Sequence, residues 1–570
     1  MRVMILGGYG AFGGRLARLL ADCPDLELLI CGRSFASAEA FCRDFKGAAR
    51  TVPVELDRDT IAKGLSAFRP DLVVDASGPF QDYGADGYAV VKAAIRHGAN
   101  YLDFADGADF VAGIARYDKD AKAAGLFALS GVSTFPVLTA AVLREIAKTI
   151  AIREVRGGMA PSPHAGLGVN VIGVVLGYAG GPVAIRRGGE TRTAYGLTES
   201  LDATIAPPGA LPLRSTRFSL VEVPDLTLVP LEHETLRDIW IGAGPGPQWA
   251  HRVLNLFAKV RRRFGLPSLK PLAPLVHWIL ERLASGEHRG GMFIEATGPD
   301  GTGTERTLTW HLIAEGDDGP LIPSMAIEAI VRKLRCGERP APGARAAVRA
   351  LELSDYLALF EDRRIVTGFR ETPCADAPVF RKILGPGLDV LPAAVRAFHD
   401  SAQPRRWSGF ADIVRGTSLL SRLVGAIIRV PPAGMGVPLD VTVTPDATGE
   451  SWVRQFGHHR LTSVLTPGIG RHEHLMCERF GWVDVGIALV IEHDRLRFVP
   501  RHWAVLGIPM PKRLLPSAKT FETAENGRFR FDVIFSAPIV GLIATYRGWL
   551  EPAAIGVPAE TGARALQPGE

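Results

Sequence analysis

The hydrophobic pattern opens on residues 3–6, a continuous apolar run whose length and β-branched content predict a strand buried on both faces. Glycines crowd the next eight positions, and then Leu16, Leu19 and Leu20 recur at helical spacing. Further apolar runs over residues 26–33, 52–57, 71–80, 100–107 and 125–132 predict five more strands, with helices over 88–97 and 110–124 between them. Strands and helices alternating at this interval mean a parallel sheet joined by right-handed crossovers. After residue 150 the pattern changes: strand-like pieces near 152–160, 216–223, 290–301 and 305–316, with a hairpin turn at Pro299–Gly303, predict an antiparallel sheet. A helix over 324–337 is expected to pack back on the first domain. Beyond the Pro/Gly-rich stretch 374–392, many turn-bounded, alternating segments predict a strongly curved antiparallel sheet. The apolar stretches 169–178 and 534–546 fall short of the roughly 18 residues of a membrane span and read as core elements.

The strand, glycine turn and helix at the start form one chemical unit. Gly8-x-Gly10-x-x-Gly13 is weak evidence alone, but its flanks place it where a pyrophosphate meets unpaired amides and the positive end of a helix. Gly7, Gly8, Gly10, Ala11, Phe12 and Gly13 are the expected contacts, Gly8 for the turn, Gly10 for close approach and Gly13 for packing helix on strand. An NAD-specific site ends its second strand in a carboxylate that holds the ribose 2′-hydroxyl. Gly32, Arg33 and Ser34 stand there instead, and a guanidinium beside a hydroxyl suits a 2′-phosphate, so NADP(H) is favoured over NAD(H). Ligands of such sheets lie beyond the carboxyl ends of the strands, which places Asp57, Ser77, Gly78, Pro79 and Phe80 around the cofactor.

Composition narrows the remaining choices. With 570 residues, 47% of them apolar, the chain is long enough for several domains with separate cores. Sixty-five basic against 60 acidic residues exclude a surface built to coat nucleic acid. Six cysteines without a C-x-x-C pair suggest neither a disulfide scaffold nor a cysteine zinc site, and a reducing cytoplasm is expected. The opening apolar segment is too short for a signal peptide. Histidines at 458–459 and 472–474 lack further ligands at a recognisable spacing, so no metal is expected.

The segments GGYGAFGGRLARLL, CGR, ASGPFQDYG (76–84), NYLDFADG (100–107) and GVSTFPVLTAAV (131–142) resemble the saccharopine dehydrogenase-like family of NADP-binding oxidoreductases. The resemblance covers about the first 145 residues. It implies a Rossmann-like doubly wound α/β sheet over 1–150, completed by 321–370, and an α+β substrate domain over 151–320. It also implies hydride transfer, with the segment like Ser77–Phe80 at the nicotinamide end and the segment like Gly131–Pro136 leading toward the substrate. Residues 371–383 read as a linker and 556–570 as a flexible tail. Residues 384–555, mainly antiparallel β, resemble a bacterial domain of unknown function, DUF4166, notably in RHWAVLGIPMPKRLLP and ATYRGWLEP.

Hydride transfer needs at most one proton donor. Topology brings Asp103, Tyr83 and Ser133 toward the cleft, followed by Asp106, Thr134 and His164, though each residue type also serves as a cap or packing group. Two basic, apolar stretches are compatible with lying on an anionic bilayer, although a buried helix with a solvated basic edge is the favoured reading. One spans 413–430, with Arg415, Arg422 and Arg429 every seventh residue; the other spans 251–283, with seven basic residues against Glu281 alone. Expected partners are therefore a small-molecule substrate, a second copy in a homodimer and a peripheral contact with the inner membrane face. Two whole-chain readings remain open: an NADP(H)-dependent oxidoreductase acting on an apolar or lipid-like substrate, and a non-catalytic nucleotide-binding protein whose C-terminal domain binds lipid or a partner.

Overall fold

The computed structural model describes residues 1–80, 83–166, 168–282 and 286–553; the expected tail at 556–570 lies outside them. Contacts divide the chain into one unit of residues 1–207 and 213–372 and a second of residues 208–212 and 373–570.

In the first unit, β1 (Arg2–Leu6), β2 (Glu27–Gly32), β3 (Arg50–Glu55), β4 (Leu72–Asp75), β5 (Asn100–Asp103) and β6 (Phe127–Ser130) form a parallel sheet. Side chains on β1 divide between two cores, Val3 and Ile5 joining one while Met4 and Leu6 join the other. That is why the run carries no polar position. Sheet order is β6-β5-β4-β1-β2-β3, so the direction of succession reverses between β1 and β4 and opens a crevice at their carboxyl ends.

A second, mostly antiparallel sheet follows. It contains β7 (Glu154–Ala160), β10 (Ser200–Ala203), β11 (Thr216–Leu220), β12 (Asp238–Ala243), β13 (Arg289–Pro299), β14 (Glu305–Glu315) and β16 (Ile365–Glu371), in the order β10-β11-β12-β7-β13-β14-β16. The hairpin β8 (Pro182–Arg187) and β9 (Glu190–Tyr195) stands apart from it. Residues 169–178 are a helix, Val169–Tyr178. The chain then returns to the first sheet, adding β15 (Gly343–Ala346) parallel to β6. Helix Ile322–Arg335 packs on α1 (Ala11–Leu19), where Arg332 donates to the carbonyl of Leu19 and the carboxylate of Asp22.

The basic stretch 251–283 is mostly helix, Gln248–Phe264 and Ala273–Arg282. In the first of these, His251, Asn255 and Ala258 are buried while Trp249, Leu256, Phe257 and Phe264 are exposed.

The second unit closes on itself. Its strands are β17 (Arg405–Arg415), β18 (Gly434–Pro445), β19 (Glu450–Phe456), β20 (His459–Pro467), β21 (Met476–Phe480), β22 (Val483–Glu492), β23 (Arg495–Val505), β25 (Ser517–Glu525), β26 (Arg528–Ala537) and β27 (Gly541–Ala553), with β24 (Ile508–Pro509) a short addition to β23. Each pairs antiparallel with the next, and β27 pairs with β17, so the curved sheet closes into an up-and-down barrel, its ten long strands joined in a ring.

Helices Val379–Leu384 and Ala393–His399, with the turn Gly385–Val390 between them, fill one end, burying Phe380, Leu388, Val395 and Phe398 against Trp407, Trp452 and Phe529. Polar anchors hold them there: Arg405 donates to the Phe398 carbonyl (2.6 Å) and to Glu450 (3.2 Å), and His399 Nε2 lies 2.6 Å from Glu522. Toward the other end, inward-facing Val485, Phe531 and Tyr546 are only half-buried.

The stretch 413–430 is not one helix. β17 ends at Arg415, a helix spans only Leu419–Ile427, and Arg429 follows with φ +57°. The seven-residue recurrence of arginine therefore marks no single helical stripe.

Phe398 is 1% exposed and its ring meets Trp407, Trp452 and Phe529 at centroid separations of 4.3–5.4 Å. Phe398→Ala is expected to destabilise the barrel by about 3–5 kcal/mol, read as a lower denaturant midpoint for its transition.

Candidate dinucleotide site

The glycine turn is built so that backbone meets backbone. Gly7 has φ +71°, and a Cβ there would sit 2.6 Å from the Ala76 carbonyl oxygen at the end of β4. A Cβ on Gly13 would lie 2.4 Å from the Gly7 oxygen, and one on Gly8 3.0 Å from Ile30 Cα. The left-handed residue of the turn is thus Gly7 rather than Gly8, and Gly13 lets α1 press onto the turn.

Gly10 caps α1 in extended conformation, its amide bonded to the Gly7 carbonyl at 2.8 Å. The first-turn amides of Ala11, Phe12 and Gly13 have no carbonyl one turn back within the helix, so they face the crevice as donors for an anion. Phe12 stacks on Phe104 at 5.5 Å, tying the start of α1 to the loop after β5.

At the end of β2, Arg33 is exposed, and Ser34 caps helix α2 (Phe35–Asp44) by accepting the Ser37 amide. Tyr9 closes this corner: a Cβ on Gly32 would strike its ring, and its hydroxyl accepts the Ser34 amide at 3.2 Å. Arg33 and Lys63 share the lining of a cleft of about 550 Å³ with Asp57. Asp57 accepts from the amide (3.0 Å) and hydroxyl (2.8 Å) of Thr60, and those bonds hold its carboxyl below the ordinary range.

The segment after β4 is organised by a residue that the pattern of the sequence did not single out. Asp75, fully buried, accepts from the amide (3.0 Å) and hydroxyl (2.6 Å) of Ser77, and Tyr83 Oη lies 2.8 Å from that same hydroxyl. Burial raises the pKa of both Asp75 and Tyr83. The Gly78–Pro79 bond is cis, Phe80 packs on Tyr83 and Phe110, and Arg58 lies over the Tyr83 ring at 3.4 Å.

Asp103 stands opposite Asp75 in the register of β4 and β5. It has no exposed surface, and one carboxylate oxygen accepts from the amides of Ala105 (3.0 Å) and Gly131 (2.7 Å) and the hydroxyl of Ser130 (3.0 Å). Its other oxygen has no hydrogen-bond partner among the described residues. Burial, then the neighbouring Asp75 charge, push its pKa up to about 7 against the pull of those donors. Ser133 is half-buried just beyond, and Thr134 is buried. His164 lies apart from this group, its ring 5.1 Å from that of His288, although its neighbour Ala165 accepts from Arg15 of α1 at 3.4 Å.

The second sheet contributes groups of its own. Glu222, two residues past β11, accepts the Ala108 amide at 3.1 Å and so reaches the loop after β5. Burial, then Asp106 and Asp109, raise its pKa, and desolvation, then Glu222 and Asp106, raise that of the half-buried Tyr178. Nothing in the run Val221–Val223 distinguishes this glutamate from a surface residue. Among the described residues no three His, Cys, Asp or Glu side chains converge as metal ligands; His459 lies instead 2.7 Å from the Arg429 carbonyl and His472 stacks on His502.

Residues 3–129 match the family model of the saccharopine dehydrogenase NADP binding domain, and residues 391–550 match that of DUF4166, a domain of unknown function. No curated protein matches the chain. Among solved structures, apo saccharopine dehydrogenase (L-Glu forming) from Saccharomyces cerevisiae is similar at 13% identity, over 65% of this chain and 99% of that one, with a TM-score of 0.46. An amine dehydrogenase from Mycobacterium smegmatis is similar at 14%, over 60% and 94%, at 0.30. The WlbA dehydrogenase from Thermus thermophilus, in complex with NAD and alpha-ketoglutarate, is similar at 13%, over 60% and 90%, at 0.28.

Between the ordinary carboxylate pKa of about 4 and about 7, the unfolded chain has lost the Asp103 proton that the folded chain keeps. Stability contributed by this group therefore falls as pH rises through that window. Asp103→Asn retains the acceptor for the three donors and removes the titration. The fall in melting temperature between about pH 4 and pH 7 is expected to flatten in the variant, measured by scanning calorimetry. The likeness thus falls on two separate stretches of the chain, residues 3–129 to the saccharopine dehydrogenase NADP binding domain and residues 391–550 to DUF4166.

Proposed function

We propose that this protein is an NADP(H)-dependent oxidoreductase that transfers hydride to an apolar, lipid-like small molecule. The observation that carries the dinucleotide reading is the turn at Gly7–Gly13, where a side chain on either terminal glycine would strike backbone and where α1 offers its first-turn amides. Preference for the 2′-phosphate rests on Arg33, Lys63 and the start of α2, with no carboxylate ending β2. A dinucleotide bound there supplies or takes up the hydride.

The chain's own residues do the rest. Asp75, Ser77 and Tyr83 hold the turn after β4 in one shape, and Asp103 ties the ends of β5 and β6 together, so these act as positioning groups. Glu222, which keeps its proton to higher pH than an ordinary glutamate, is the group that we assign to donate a proton from the second sheet.

The test pairs binding with turnover. Titration calorimetry is expected to give tighter binding of NADPH than of NADH, and Arg33→Ala is expected to weaken NADPH by about ten- to a hundredfold while sparing NADH. Tighter binding of NADH removes the phosphate assignment, and binding of neither removes the oxidoreductase. Single-turnover oxidation of bound NADPH by long-chain enoyl thioesters, imines and quinones identifies the acceptor, and Glu222→Gln is expected to slow that step by about a hundredfold or more without changing NADPH affinity.

A further inference from the structure

The barrel has two unlike ends. Because its ten strands run alternately up and down, the connections 416–433, 457–458, 481–482, 506–516 and 538–540 all lie at one end, opposite the helices that fill the lumen. These five connections contain Arg422, Arg429, Lys512 and Arg513 and no aspartate or glutamate. The connections at the filled end contain Asp446, Glu473 and Asp494 with Arg471.

Large apolar side chains stand out from these acid-free connections. Leu419 (84% exposed), Leu423 (60%) and Ile427 (66%) come from the helix Leu419–Ile427, Trp482 (73%) from a two-residue turn, and Leu506 (70%) and Ile539 (85%) from two more connections. Leu506 and Ile539 have φ of +52° and +71°, a conformation that glycine or asparagine adopts at less cost. Bulky apolar residues kept at strained, exposed turn positions point to a role for the side chain rather than for the turn.

The helix is fixed in this orientation. Ser421 donates to the Leu542 carbonyl at 2.7 Å and Ser418 to that of Val540 at 3.3 Å, and Ser421 and Gly425 form its buried face. Its leucines are therefore held away from the barrel.

We propose that this end of the barrel docks onto an anionic lipid bilayer, with the apolar tips entering the acyl boundary and the four basic residues meeting lipid phosphates. Apolar tips from separate connections, interspersed with cations and free of carboxylates, match a planar, negatively charged, deformable surface. The outer wall argues for lying on the membrane rather than crossing it. Outward-facing Arg547 and Asp532 are paired at 2.8 Å, Arg406 and Asp440 at 3.1 Å, and among the described residues no helix is long and apolar enough to span. The proposal is independent of the nucleotide reading.

Co-sedimentation of the full chain with vesicles tests it. Binding is expected to phosphatidylcholine vesicles containing about 30% phosphatidylglycerol, not to pure phosphatidylcholine, and to weaken as salt rises. Leu423→Glu combined with Ile539→Glu is expected to lower the vesicle affinity at least about tenfold, with unchanged circular dichroism and melting temperature. Ile469→Glu, at an equally exposed apolar position (83%) on the filled end, is expected to bind as the parent does. The proposal is overturned if anionic vesicles do not bind, if neutral vesicles bind as well, or if the double variant binds like the parent. Loss of self-association in the double variant, with no vesicle binding by the parent, would assign the surface to contact between copies instead.

Discussion

The contact between the Gly7 carbonyl and the first turn of α1 at Gly13 is the constraint on which the nucleotide half of this protein depends. It leaves no room for a Cβ on Gly13, and Gly7 is closed from the other side by the end of β4. A turn pressed this tightly brings the start of the helix over the ends of β1 and β4, where the succession of strands reverses. The crevice follows from that reversal, and the donors within it follow from the helix start. Without the close approach, a strand and a helix would still form, but the amides would not converge.

A second constraint is the cost of burying charge. Asp75 and Asp103 occupy paired positions on β4 and β5, both without solvent, and each is surrounded by donors from the loop that it organises. The donors offset part of the desolvation, yet burial still dominates, and both groups hold their protons more tightly than a solvated carboxyl. Such groups shape the rim of the crevice rather than enter it. The group that does reach the crevice edge from across it is Glu222, half-buried, bonded to the Ala108 amide and facing Asp106 and Tyr178.

In the C-terminal unit the governing fact is closure. Pairing β27 with β17 and β22 with β23 removes every long edge, and a ten-stranded ring is wide enough to need filling. Two short helices fill one end with aromatic and aliphatic side chains, and the ion pair of Arg405 with Glu450 and the contact of His399 with Glu522 are admitted there because each has a partner. Inward-facing residues toward the other end stay half-buried.

Short-range information in the sequence was enough for much of this. Continuous apolar runs and glycine spacing determined the strands β1, β2 and β4, helix α1 and the tight glycine turn, because burial on both faces and the need for a missing Cβ are local demands. Alternation determined that the last third is antiparallel β. Tertiary structure alone decided that this sheet closes into a barrel, since closure depends on pairing β17 with a strand more than a hundred residues away. It decided as well that the arginines at 415, 422 and 429 share no helix, because strand pairing claims the first and the last, itself left-handed, lies beyond the helix end at Ile427. Asp75 and Glu222 were equally out of reach: a carboxylate becomes a buried organiser or a proton-holding group only through the neighbours that folding brings to it, and no periodicity in the chain records them.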